Sequence, residues 1–355
     1  MARQNKVNMI RDKISESLFN DVWRAGDRFP SEPQLVLKYG VSRQTVRKAL
    51  QSFIDEGYLK PVKGSGTYIT EKAVARRYKK TYTIGILVTY LSDYIFPLII
   101  RELEEVFSAA GFSVQLASTG NSTLKERELL QKMLANRVDG IILEPTKSAL
   151  PNPNIDIYEE LLAKNFPVVT IHSSYGNLDF PTVALDDAEA GALAASYLLE
   201  HRAEPIAAVL KSDDLQGHRR YQGIMRAHRQ YGRRFNDQKV FWYTTEDIHQ
   251  FKEQSDALLK RIRDSRSLVC YNDQIAMLTE EILLDAGLKI PEDYAVVSID
   301  DSKYAALAPV PLTSVHSPIQ EIGKTAAEHL LRLINGEQFD ANKIFKPRLI
   351  RRDSA

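Results

Sequence analysis

From Thr83 onward, short β-branched runs alternate with helix-length amphipathic runs. "TIGILVTYL" precedes "YIFPLIIRELEEVFSAAG", "FSVQLAST" precedes "TLKERELLQKMLANR", and "VDGIILEP" precedes "DIYEELLAKN". The pattern continues through "FPVVTIHSS" with "TVALDDAEAGALAASYLLEHR", "IAAVLKSD" with "HRRYQGIMRAHRQYG", and "SLVCYND" with "QIAMLTEEILLDAG". "YAVVSIDD" and "LTSVHSP" then lead to a last helix, "IQEIGKTAAEHLLRLING". Such alternation dictates parallel sheets with helices on both faces. The 273 residues after Tyr82 are many for one such layer and comfortable for two lobes. We expect lobe 1 over about 83–185 with a late return over about 317–345. Lobe 2 is expected over about 186–316 with the C-terminal end.

The residues before Thr83 follow other rules. "NMIRDKISESLFNDV" places Met9, Ile10, Ile14, Ser17, Leu18 and Val22 at helical spacing. "AGDRFP" breaks that helix, and "SEPQLVLKYG" starts a short one, with Ser31 as N-cap, Pro33 in the first turn and Gly40 as the stop. Ser42 caps a third helix with Val46, Ala49, Leu50, Phe53 and Ile54 on one side and Arg43, Gln44, Arg47, Lys48 and Gln51 on the other. "YLKPV" and "GTYIT" flank "KGSG" as the arms of a hairpin. Three helices and a hairpin describe a winged helix-turn-helix, whose third helix suits the major groove. "EKAVARRYKKTY", 71–82, is basic, lacks a clear apolar period and reads as a linker. The expected division is a head over 1–71, a basic linker over 72–82 and a bilobal body over 83–355.

Charge supports the division. The whole chain carries only +1, but residues 1–80 hold 17 of the 47 Lys plus Arg against 8 of the 46 Asp plus Glu. A basic head on an acidic body implies an anionic partner for the head. On the third helix, arginine can grip guanine O6 and N7 with two donors, and glutamine can pair adenine. Ser31, Ser42, Thr45 and the helix amide ends suit phosphate. A charged helix face is more often simply solvated. Here it coincides with a capped, glycine-terminated helix before it and a glycine-rich wing after it.

These residues resemble the DNA-binding domain of the GntR family of bacterial regulators. "FPSE", "VSRQTVRKAL" and "GSGT" follow that family's pattern across about the first 70 residues. Phe29 replaces the usual leucine, and Lys63 stands where arginine is common at the wing. The resemblance implies that Arg43, Gln44 and Arg47 read bases. It also implies that Ser31, Ser42, Thr45, Lys63 and Gly66 lie on phosphates or in the minor groove.

In open α/β sheets, ligands bind beyond the carboxyl ends of strands. The polar residues there are Ser92, Asp93 and Tyr94; Glu144; His172; Asp186; Asn272 and Asp273; and Asp300 and Asp301. Carboxylates accept from hydroxyls, arginine donates, and a ring (Tyr94, or Phe96 nearby) covers an apolar C–H face. That set suits a neutral polyhydroxyl ligand, although any one Asp or Asn at a strand end can equally cap the next helix. From Thr83 to about Arg352 the body resembles the sugar-binding effector domain of the LacI/GalR repressors. "IGILV", "VDGIIL", "RRYQGIMRAH", "CYNDQIAM", "VVSIDDS" and "LTSVHSP" carry the likeness. It implies that Arg220, Asp273 and Asp300 bind ligand. A GntR-type head on such a body, with "TYLSDYIFPLIIRELE", "EPTKSAL", "NPNI" and "VALDD", is similar to arabinose-responsive repressors of Gram-positive bacteria. L-arabinose or a similar pentose is then the implied effector, and release from the operator its implied effect. His172 and His316 have no role fixed by the family pattern.

Other chemistries find little support. No G-x-G-x-x-G follows a strand, and neither a phosphate loop nor a G-x-S-x-G elbow is present. The scattered histidines lack metal spacing, and Cys270 is the single cysteine, which fits a reducing cytosol. There is no signal-peptide core, and the longest apolar runs are far short of a membrane span. We therefore expect a cytoplasmic homodimeric repressor that binds double-stranded operator DNA and a sugar. It needs no cofactor, metal, membrane or catalytic residue. Two alternatives stay open: a different sugar or sugar phosphate as effector, and a dimer without an effector.

Overall fold

The computed structural model describes residues 2–20, 23–77, 80–91, 94–176, 178–201 and 205–355. The chain forms two compact units, Met1–Thr81 and Tyr82–Ala355.

In the first unit, α1 (Ala2–Asn20) buries Ile10, Ile14 and Leu18. Met9 sits roughly 100° round the helix from Ile10 and is 44% exposed; Val22 lies outside the described residues. A short β1 (Arg28–Phe29) follows, then α2 (Glu32–Tyr39). Gln34 Oε1 accepts from both the amide and the hydroxyl of Ser31, each at 2.8 Å. Gly40, at φ 64, ends α2 by donating its N–H to the Val36 carbonyl at 2.9 Å. Helix α3 (Arg43–Asp55) begins with the Thr45 amide donating to Ser42 Oγ at 3.3 Å. Val46, Ala49, Leu50 and Phe53 are buried, as their spacing requires. Strands β2 (Leu59–Val62) and β3 (Gly66–Ile69) form the expected antiparallel hairpin, and β1 adds to the free side of β3. The segment read as a linker is instead helical at its start, as α4 (Glu71–Arg77). Thr70 Oγ1 accepts from the Ala73 amide at 3.2 Å, and Ala73 is buried in the head core with Val74 against it. Three small apolar residues in a row, Ala73 to Ala75, show no helical period, so nothing in the sequence marked this helix.

The second unit opens with β4 (Thr83–Val88), α5 (Phe96–Ala109), β5 (Ser113–Ser118) and α6 (Thr123–Ala135). It continues with β6 (Gly140–Leu143), α7 (Ile155–Ala163), β7 (Val168–Ile171) and β8 (Thr182–Leu185). The second lobe takes over with α8 (Asp187–His201), β9 (Ile206–Lys211), α9 (Leu215–Gln230), β10 (Val240–Tyr243) and α10 (Ser255–Ile262). There follow β11 (Ser267–Cys270), α11 (Asp273–Asp285), β12 (Ala295–Asp300), α12 (Lys303–Leu307) and β13 (Thr313–His316). The chain then returns to the first lobe with α13 (Ile319–Ile334), which packs on α5, and β14 (Lys343–Phe345). It ends in the second lobe with β15 (Arg348–Ile350).

Each lobe holds a six-stranded sheet, ordered β14-β8-β7-β6-β4-β5 in the first and β10-β9-β11-β12-β13-β15 in the second. Every pairing is parallel except β13 with β15. Strands β6, β7, β8, β9, β11 and β12 are buried along their whole length, as a sheet covered on both faces demands. Strands β10, β14 and β15 escape the sequence reading. They lie at sheet edges, and β14 and β15 are three residues each and largely unburied.

Helices α8 and α9 touch backbone to backbone. A Cβ on Gly191 would lie 2.1 Å from the Arg220 carbonyl oxygen, and one on Gly223 would lie 2.0 Å from that of Ala188. Neither neighbour can yield, because both are helical backbone. Gly223→Ala is therefore expected to destabilise the protein by about 3 kcal/mol, read as a lower midpoint in denaturant unfolding.

Candidate functional site

The head presents the predicted groove-facing residues at the start of α3. Arg43, Gln44 and Arg47 are exposed on that helix, with Val46 on the opposite, buried side. Ser42 Oγ also lies 2.8 Å from Thr45 Oγ1, so both hydroxyls serve the helix start. Arg43 Nε donates to Glu32 Oε2 at 3.0 Å across the turn, an exposed contact that an incoming acceptor can replace. Lys63 is exposed at the hairpin turn, and Gly66, at φ 138, opens β3. A Cβ at Gly66 would meet Arg28 Nε at 2.8 Å, so glycine there also makes room for that arginine.

In the body, the carboxyl ends of both lobes' strands enclose a cavity of about 150 Å³. From the first lobe come Thr89, Tyr94, Phe96, Glu144 and His172; from the second come Lys211, Asp214, Arg220, Tyr271, Asn272 and Asp300. Tyr94, His172 and Asp300 have φ values of 60, 62 and 110. Side chains rarely adopt this region, and such residues cluster at functional sites.

Arg220 anchors the second-lobe wall. It is 2% exposed, and its Nε donates to Asp187 Oδ1 at 2.8 Å. Its guanidinium also donates to the Tyr271 carbonyl, lies 3.6 Å from Asp300 Oδ1, and covers the Tyr271 ring at 4.6 Å. Burial works against its charge, but Asp187 and Asp300 outweigh that and raise its pKa. Burial in turn pushes the Asp187 and Asp300 carboxyls up, against the pull of Arg220. On the first-lobe wall, Glu144 accepts from the Thr89 amide at 2.7 Å and from the Thr89 hydroxyl at 2.5 Å, and lies 2.8 Å from His172 Nδ1. Burial disfavours both charges, yet His172 with Thr89 holds Glu144 below its ordinary range, and Glu144 holds His172 above its own. His172 Nε2 and Asp187 Oδ2 are buried without a hydrogen-bond partner among the described residues.

Tyr94 closes the two walls on each other. Its hydroxyl donates to Asp300 Oδ2 at 2.6 Å and accepts from the Asp273 amide at 3.2 Å, and its ring stacks on Tyr304. Further contacts join the lobes at Asn121 Nδ2 to Thr245 Oγ1, 2.5 Å, and at the Leu215 amide to Ser148 Oγ, 2.9 Å. The lobes are closed over the cavity.

Of the predicted ligand set, Tyr94, Phe96, Glu144, His172, Arg220, Asn272 and Asp300 line the cavity. Asp273 does not. Its carboxylate turns into the second lobe and accepts from Ser298 Oγ, Ser314 Oγ and the Ser302 amide at 2.5–2.7 Å. Burial, and then the nearby Asp300, push it up to about 7. Asp93, with Ser92, lies outside the described residues. Asn272 Oδ1 caps α11 through the Ile275 amide at 3.0 Å, and Asp186 caps α8 through the Glu189 amide at 2.9 Å. The capping reading of strand-end residues therefore holds for both. Lys211 and Asp214 were missed, although the strand-end rule applied to β9 leads straight to them. Lys211 Nζ lies 2.7 Å from Asp214 and 3.8 Å from Asp213; burial opposes its charge, and these carboxylates more than restore it.

Comparison with known proteins agrees with this architecture. The family model of bacterial regulatory proteins, gntR family, matches residues 6–69, and that of a periplasmic binding protein-like domain matches residues 195–355. An arabinose metabolism transcriptional repressor of Halalkalibacterium halodurans is 33% identical over 99% of this chain and 96% of its own length. Another, from Geobacillus stearothermophilus, is 35% identical over 98% of this chain and 97% of its own. The crystal structure of the transcription regulator CcpA of Lactococcus lactis superposes with a TM-score of 0.69 at 25% identity, covering 77% of this chain and 98% of that one. With a gntR-type head and two such relatives matched end to end, the chain belongs to the family of arabinose metabolism transcriptional repressors.

Proposed function

We propose that the chain is a homodimeric repressor released from its operator when L-arabinose, or a closely related pentose, occupies the cavity. The observation that carries this reading is the charge balance of the cavity walls. Arg220 stands beside Asp187 and Asp300, Lys211 beside Asp214, and His172 beside Glu144. Each of these cations already faces a carboxylate of the chain, so a phosphorylated sugar would have to displace a built-in anion. A neutral polyol can instead donate to the carboxylates and accept from the cations without disturbing either. The Tyr94, Phe96 and Tyr271 rings provide apolar surface for its C–H face. The names of the relatives point to the same sugar. Paired heads suit a pseudo-palindromic operator. Coupling of sugar to DNA affinity in such systems is typically about 1–3 kcal/mol.

In the head, Arg43, Gln44 and Arg47 read bases, while Ser31, Ser42, Thr45, Lys63 and Gly66 meet the backbone or minor groove. Arg47→Ala is expected to weaken operator binding by roughly 1–3 kcal/mol and relax base choice. Lys63→Ala is expected to weaken all sequences alike and flatten the salt dependence by about one unit. Competition binding against randomised fragments separates the two.

For the cavity, calorimetry of the full chain should detect L-arabinose and not its phosphate ester; heat from the ester alone would overturn the reading. Asp300→Asn should weaken the sugar at least ~10-fold and leave sugar-free operator binding intact. Arg220→Ala strands two buried carboxylates and should lower stability by about 3–5 kcal/mol, so it cannot serve as a clean binding variant.

The Glu144–His172 pair gives a pH signature. His172 is raised above 6.5, so its stabilisation is full below that value and is lost as pH climbs through the raised one. Glu144 is lowered beneath 4.5, so its share is present above that value and is lost as pH falls through the lowered one. His172→Gln should flatten the alkaline decline of the thermal midpoint.

A further inference from the structure

Asp300 reaches the cavity from a backbone that resists it. Its φ is 110 and that of Asp301 is 53, consecutive side-chain-bearing residues in the region that favours glycine. Such conformations persist only where the surroundings over-determine them. Here the surroundings can be named. Asp301 Oδ2 lies 2.9 Å from His316 Nδ1, and its Oδ1 accepts from Arg352 Nη2 at 2.6 Å. Arg352 also donates from Nη1 to the Leu312 carbonyl at 2.9 Å and from its amide to Thr313 Oγ1 at 2.9 Å. The Asp301 amide donates to Ser314 Oγ at 3.0 Å, and the Ser317 amide to the Asp300 carbonyl at 3.2 Å. Beyond β15 the tail stays sewn to the sheet. The Ser354 hydroxyl donates to the Val296 carbonyl at 2.6 Å and accepts from the Thr313 amide at 2.8 Å.

We propose that Asp301, His316 and Arg352 form a positioning clamp that holds the strained Asp300–Asp301 turn, so that the tail carrying Arg352 sets the affinity of the effector cavity. Asp301, His316 and Arg352 are all absent from the cavity lining, so they act through Asp300. The proposal rests on the reading of that cavity as the sugar site. The geometry explains why two bonds must reach Asp301. One carboxylate oxygen is held from β13 and the other from the tail, which pins the Asp301 side chain, while the peptide joining it to Asp300 is held at both ends, its N–H on Ser314 Oγ and its C=O by the Ser317 amide. A plain staple at the sheet edge would predict something else: loss of Arg352 would lower the unfolding midpoint without altering the affinity of molecules still folded.

The test uses the full chain as wild type, Arg352→Ala, Arg352→Lys and Asp301→Asn. Backbone hydrogen exchange over residues 300–302 is measured without ligand, and L-arabinose affinity is measured by calorimetry well below the unfolding midpoint. Arg352→Ala is expected to speed exchange at 300–302 and weaken L-arabinose about tenfold, the size expected for one charge-assisted hydrogen bond. Arg352→Lys, which keeps the charge facing Asp301, is expected to recover most of both. Asp301→Asn should follow Arg352→Ala and replaces it if that variant does not fold. Unchanged exchange at 300–302, or an affinity within twofold of wild type, overturns the clamp. Should wild type itself ignore L-arabinose, the ligand reading fails separately, and exchange still decides whether the clamp exists.

Discussion

A buried arginine held between two buried carboxylates is the interaction on which the body depends. Removing a guanidinium from water costs several kcal/mol unless its donors are nearly all met. Arg220 therefore requires Asp187, the Tyr271 carbonyl, Asp300 and the Tyr271 ring to converge on one point. Those partners come from the start of α8, the end of β11 and the end of β12, and Arg220 itself from α9. The glycine contacts between α8 and α9 bring the two helices close enough for this to happen. Burial pushes both carboxyls up, and the arginine draws them back toward the charged form. Ligand wall and lobe core are one network, and neither can be redesigned alone.

The head follows the opposite principle. Its core is a small apolar cluster around Ile10, Ile14, Val46, Leu50 and Phe53, and its polar groups are kept outside. Arg43 is held loosely by Glu32 with most of its side chain in water, so exchanging that partner for another acceptor costs little. The wall of the body's cavity is held by its own buried partners, and the exposed face of the head is held loosely.

Much of this was legible in the chain itself. Long, fully buried parallel strands such as "IAAVLK" and "AVVSID" announce themselves by β-branched content, and the capped helices by Ser31, Gly40 and Ser42. Elements of two or three residues at sheet edges, and helix α4 with its three consecutive apolar residues, carry too little periodicity to register. In the cavity, the strand-end rule located Tyr94, Glu144, His172 and Asp300 but could not give side-chain direction. Asp273 and Asn272 are adjacent at one strand end, yet only the latter faces the ligand space. Direction there is decided by Ser298, Ser302 and Ser314, which draw the Asp273 carboxylate inward and are scattered along the sequence. Lys211 was passed over although the strand-end rule points to it; its burial at the end of β9 is made tolerable by Asp213 and Asp214.

The hydroxyl of Tyr94 is donor to one second-lobe group and acceptor from another, while Tyr94 itself lies in the turn between β4 and α5 of the first lobe. Parting the lobes must break both bonds together and flood a carboxylate that burial has already made reluctant to stay charged. Entry and exit of a guest therefore require that phenol, with Asn121 and Ser148, to let go of the second lobe. Dwell time inside the closed body is then bounded by the protein's own breathing as well as by the contacts a guest makes there.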